Sequence, residues 1–150
     1  MRVCILLLLA ASLAACSEWS GCGSTAPCGT VRSAAEGVAG SWTEVETWRG
    51  ISMRLSLAAR DTTLSGTATS STEGTANITG YVCWQDAAFV PSGHVMPAHP
   101  VVVLNFAFAN GTSAHFDQAV LQGQDTLSGA LTFSDAPFST YGTSFVRATQ

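Results

Sequence analysis

From residue 40 onward the sequence predicts an all-β fold: a small eight-stranded antiparallel barrel of up-and-down topology. Three observations predict it. Ile51, Met53, Leu55 and Leu57 alternate with Ser52, Arg54 and Ser56, the period of a strand with one buried face. Similar segments recur at intervals of about ten residues, the spacing of a sandwich or barrel. No stretch carries a convincing helical period.

Taken in order, the strands fall at about 41–48, 50–60, 63–71, 75–84, 100–109, 112–122, 126–134 and 142–149. Asn110-Gly111 separates Phe106-Ala107-Phe108 from His115-Phe116 and marks a hairpin, since Asn-Gly accepts positive φ at both turn positions. Asp61-Thr62-Thr63-Leu64-Ser65-Gly66 is echoed by Asp125-Thr126-Leu127-Ser128-Gly129, each where one strand hands over to the next. Eight strands joined in sequence close into a barrel because closure removes both exposed edges. A transmembrane barrel has a similar strand number, but the N-terminus already supplies an anchor.

Residues 1–15 read as a signal segment. Arg2 is a minimal positive start, and residues 3–11 form an apolar run too short to span a bilayer. The ending Leu13-Ala14-Ala15-Cys16 resembles the bacterial lipobox. That resemblance implies cleavage before Cys16, acylation of its thiol and of the new N-terminus, and stable attachment to a membrane through the acyl chains. In that family an Asp after the Cys retains the protein at the inner membrane; Ser17 stands here, which favours the outer membrane of a bacterial envelope. Residues 16–39, rich in Ser, Gly, Ala and Thr, read as a flexible tether. Residues 40–150 read as the barrel domain.

Composition narrows the function. Of 150 residues, 6 are Arg and none is Lys, against 10 Asp plus Glu, for a net charge of −4. That balance supplies no basic patch for nucleic acid. Hydrophobic residues reach 47%, too many for wholesale disorder.

Five cysteines stand at 4, 16, 22, 28 and 83. Cys4 leaves with the signal and Cys16 takes the lipid. Cys22, Cys28 and Cys83 remain, in a compartment that oxidises thiols. Cys22–Cys28 would close a small loop in the tether, and Cys28–Cys83 would staple the tether to the barrel. The spacing leaves both open.

Gly40-Ser41-Trp42 opens the first barrel strand and Arg147 lies in the last. Together they resemble the calycin pattern of lipocalins and avidins, in which a Gly-x-Trp begins the barrel. In lipocalins an Arg of the final strand packs across that Trp. The resemblance implies that Trp42 plugs the barrel base, with Arg147 over its face by a cation–π contact. It also implies a cup for a small apolar molecule. No second lipocalin motif of the Thr-Asp-Tyr kind is found, and avidin's biotin contacts have no match.

An eight-stranded barrel is either filled by its own side chains or holds one small ligand. Small residues at Gly66, Ala68, Gly80 and Gly129 would leave space among Phe106, Phe108 and Phe133. In an up-and-down barrel the connection around 134–141 lies opposite the Trp42 plug, so Phe138 and Tyr141 would rim the mouth. Phe106, Phe108, Phe133, Phe138 and Tyr141 are therefore the candidate ligand residues. His94, His99, His115 and Asp117 are the candidate metal set, provided the loop and the strand converge; solvated polarity is the plainer reading. Glu44 and Glu46 share a strand face and could act as acid and base, with an exposed strand face again the plainer reading. No GxSxG, HExxH or SxxK motif occurs, and no cofactor is implied. The expected function is a lipid-anchored envelope protein binding a small apolar molecule. The alternative is a non-enzymatic lipoprotein with a filled barrel that docks an envelope partner.

Overall fold

The computed structural model describes residues 28–45, 51–89, 93, 95–135 and 140–148. Its elements are a helix α1 (Cys28–Val38) and ten strands: β1 (Gly40–Glu44), β2 (Met53–Arg60), β3 (Thr63–Ser70), β4 (Gly74–Gln85), β5 (Ala88–Phe89), β6 (Val95–Met96), β7 (His99–Phe108), β8 (Ser113–Gln122), β9 (Thr126–Phe133) and β10 (Thr140–Arg147). β5 and β6 form a separate two-stranded hairpin. The other eight close into a barrel in the order β1-β10-β9-β8-β7-β4-β3-β2. Every barrel strand pairs with its neighbours in sequence and β10 closes on β1, so the up-and-down barrel is borne out.

Alternation builds the wall. In β2, Met53, Leu55 and Leu57 are buried while Arg54, Ser56 and Ala58 are exposed. The outward positions of β3 and β4 carry Ser65, Thr67, Thr69, Asn77 and Thr79, all exposed. A membrane barrel presents an apolar band there; these strands present hydroxyls and an amide.

The Asp-Thr-Leu-Ser-Gly echo marks equivalent places. Asp61, at φ 56°, and Asp125 precede β3 and β9, strands on opposite sides of the ring. Leu64 and Leu127 both point into the core. The Asn110-Gly111 hairpin differs from the expected two-residue turn. Four residues, 109–112, connect β7 to β8, and only Gly111 has positive φ, at 90°. The Gly111 amide donates to the Phe108 carbonyl and Asn110 Oδ1 accepts from the Thr112 amide, a tight turn completed by a left-handed residue.

Residues 28–38 correct the tether reading: they form a helix packed on the barrel, while 16–27 lie outside the described residues. Val31, Ala35 and Val38 sit at helical spacing and join the core at 5, 0 and 0% exposure. Three small side chains among Ser and Gly make a faint stripe, and eleven residues form no stable helix alone. Burial against β2, β4, β7 and β8 stabilises this one.

Candidate functional site

The barrel has one end closed by α1 and, opposite it, an end that is open among the described residues. At the closed end the last turn of α1 leaves its carbonyls pointing at β1 and β10. Trp42 Nε1 donates to the Val38 carbonyl at 2.9 Å. Arg147 donates from Nη1 to the Ala39 carbonyl at 2.9 Å and from Nη2 to the Gly37 carbonyl at 2.6 Å, and from Nε to the Gln124 carbonyl at 3.0 Å. Its guanidinium carbon lies 4.4 Å from the Trp42 ring centroid. A helix end needs such donors for its last carbonyls, and a cation suits its negative pole. Gly40 lets the guanidinium in: its φ is 133°, and a Cβ there would stand 2.5 Å from Arg147 Nη1.

The middle of the barrel is full. Phe106 and Phe108 stack at 6.4 Å, Phe108 and Phe133 at 6.3 Å, and Phe116 meets Phe145 edge to face at 5.4 Å. The small residues do not leave the space expected of them. A Cβ at Gly129 would strike Ala119 and the Phe116 ring, at Gly80 the Val103 carbonyl and Leu104, and at Gly66 the Ser56 carbonyl. Backbone and large neighbours have closed onto the glycines. Phe106 and Phe108 thus pack the core.

The open end holds a recess lined by Glu44, Ile51, Leu131, Phe133, Tyr141 and Thr143, with a free volume of about 10 Å³. Strand register places it opposite the plug: Trp42 pairs with Arg147 at the far end of β10, whereas Thr140 pairs with Thr132 near the end of β9. Of the candidate ligand residues, Phe133 and Tyr141 line it, and Phe138 lies outside the described residues.

Glu44 corrects the expectation of an exposed strand face. It is 8% exposed and turned inward, on the same face as Trp42 two residues earlier. That period was the signal in the sequence; the rule that carboxylates stay wet masked it. Thr143 Oγ1 donates to Glu44 Oε1 at 2.7 Å, while Oε2 has no hydrogen-bond partner among the described residues. Burial pushes the carboxyl above its ordinary pKa, and the Thr143 hydroxyl and Met53 amide offset part of this. Glu46 lies outside the described residues.

Among the described residues the metal candidates do not converge. His115 pairs with Asn105 on β7, six residues along the strand from His99, or about 20 Å. His99 Nδ1 bonds the Pro97 carbonyl at 2.7 Å and His115 Nδ1 bonds Asn105 Oδ1 at 2.8 Å. His115 Nε2 stands 3.9 Å from Asp117 Oδ2. Asp117 Oδ1 accepts from the Gln118 amide at a bulge in β8. His94 lies outside the described residues, and among these no group of three metal-capable side chains occurs. Cys16, Cys22 and the Cys28 side chain also lie outside them; Cys83 is half-buried on β4, paired with Val101 of β7.

No protein-family model and no curated protein matches the chain. Among solved structures it is similar to a de novo designed fluorescence-activating β-barrel, with TM-score 0.48 and 16% identity, covering 77% of this chain and 97% of that one. It is also similar to a redesigned β-barrel, mFAP1, bound to DFHBI, with TM-score 0.47 and 16% identity, covering 77% and 98%.

Proposed function

We propose that the protein is a lipid-anchored envelope protein, held by Cys16 in the outer membrane, whose barrel takes a small molecule at its open end. One observation carries the binding reading: among the described residues the barrel is packed by its own side chains, with a recess where Phe133, Tyr141 and Ile51 surround the buried Glu44. The recess admits only the tip of a ligand, since whole small-molecule pockets are about 300–1,000 Å³. The ligand's body therefore lies outside the recess. The lipocalin-like pattern of Gly40, Trp42 and Arg147 supports the same reading, with α1 closing the other end.

The anchor is tested in bacterial cells by labelled palmitate and detergent phase partition. Wild type incorporates the label and enters the detergent phase; Cys16→Ser does neither. Equal behaviour of the two removes the anchor. Binding is tested by native mass spectrometry of the full chain in neutral detergent. Excess mass lost on denaturation supports a carried ligand.

A second reading has its own observation. The packed interior, with Val95 and Met96 exposed at 62 and 42% on β6, suits a filled barrel that docks an envelope partner through an apolar hairpin. Co-purification that is lost in Val95→Ser/Met96→Ser, with no bound small molecule, would favour it.

A further inference from the structure

We propose that Glu44 makes the open-end recess a receptor for a primary ammonium group carried on an apolar body. This rests on the small-molecule reading above and narrows its ligand. A carboxylate that is 8% exposed loses much of its solvation and is disfavoured unless it is paired, so its free oxygen calls for an explanation. Thr143 satisfies Oε1 at 2.7 Å, and the Met53 amide also faces the carboxyl. Oε2 has no hydrogen-bond partner, and no Arg or His among the described residues forms an ion pair with Glu44. The remaining walls of the recess are Ile51, Leu131, Phe133 and Tyr141.

Charge and size then select the occupant. A buried acceptor binds a charged N–H donor more strongly than a neutral one. A free volume of about 10 Å³ holds one small group, the room of a single water. An ammonium nitrogen fits; a guanidinium or a sulfonium with its substituents does not. A ligand carboxylate would meet Glu44 as a like charge. A metal ion would need further ligating side chains, and no such cluster occurs among the described residues. The aromatic rings of Phe133 and Tyr141 suit the methylenes next to the nitrogen and add a weak attraction for the cation.

The test uses the full-length chain in neutral detergent micelles and three probes of one length: n-hexylamine, 1-hexanol and hexanoate. Isothermal titration, corrected for a micelle blank, reads the affinities of wild type and Glu44→Gln. Wild type is expected to bind hexylamine at least ~10-fold more tightly than hexanol and hexanoate not at all. Glu44→Gln, with unchanged circular dichroism, brings hexylamine to the level of hexanol. Equal binding of all three probes by wild type overturns the ammonium inference and leaves the small-molecule site standing. No binding of any probe by wild type overturns both, with the recess holding water only. The three-probe comparison on wild type decides the matter by itself should Glu44→Gln fail to fold.

Discussion

Arg147 and Trp42 are cross-strand partners on β10 and β1, and both bind the same helix end: the indole takes the Val38 carbonyl and the guanidinium takes those of Gly37 and Ala39. The plug of the barrel is therefore a three-part joint of first strand, last strand and preceding helix. Removing the fork leaves partly buried carbonyls unpaired. Arg147→Ala is expected to cost about 2–3 kcal/mol, read as a drop in the urea midpoint. Arg147→Lys, with one point donor group in place of a planar fork, should recover less than half. A lysine variant as stable as wild type would show that charge alone matters there.

Gly40 should be as sensitive as the residues it admits. Its φ of 133° is strained for any side chain, and a Cβ would occupy the place of Arg147 Nη1. Gly40→Ala is expected to lose about 2–3 kcal/mol, and the double variant with Arg147→Ala to lose less than the sum of the two, since the clash with Nη1 goes with the guanidinium while the backbone strain stays. Full additivity in that double-mutant cycle would deny the coupling.

Two strand glycines should separate cleanly. At Gly66 a Cβ meets the Ser56 backbone, whereas at Gly142 nothing lies within 4 Å. Gly66→Ala is expected to destabilise by about 3 kcal/mol or more, because backbone cannot yield as a side chain does. Gly142→Ala is expected to be neutral or to stabilise by up to about 1 kcal/mol. Thermal midpoints of the two variants, measured side by side, check the contrast.

Glu44 ties stability to pH. Its folded pKa is raised, so the folded state holds the proton more tightly than the unfolded chain does. The stabilisation from protonated Glu44 is complete below the ordinary carboxylate range and is lost as pH rises through the raised value. Glu44→Gln imitates the protonated form and keeps an acceptor for Thr143. Its advantage over wild type should therefore grow as pH rises above the ordinary carboxylate range of about 4.3, seen in urea midpoints measured at acid and at neutral pH. A gap that stays constant with pH would refute the assignment.

The alternation at 51–57 and the Asp-led handovers before β3 and β9 were legible because they are local. Side chains alternate by geometry, and a turn depends on a few adjacent residues. Glu44 was half-legible: its period from Trp42 pointed inward, and only its charge argued otherwise. Helix α1 was illegible because three small side chains carry its packing. The free volume was misjudged because a glycine in the sequence is a small residue, whereas in the barrel it is a place where something else comes close.

By itself, the sequence determined the eight barrel strands, their order and hence the closed barrel, since alternation and short connections leave up-and-down pairing as the way to hide every edge; the β5–β6 pair between 84 and 100 carried no such signal. The tertiary structure decided the rest. It folded 28–38 onto the barrel base, closed the interior over Gly66, Gly80 and Gly129, and left Glu44 beside a recess at the other end. Those outcomes depend on contacts between residues as much as 110 positions apart, such as Arg147 with Gly37, and no local pattern encodes which side chain fills which space.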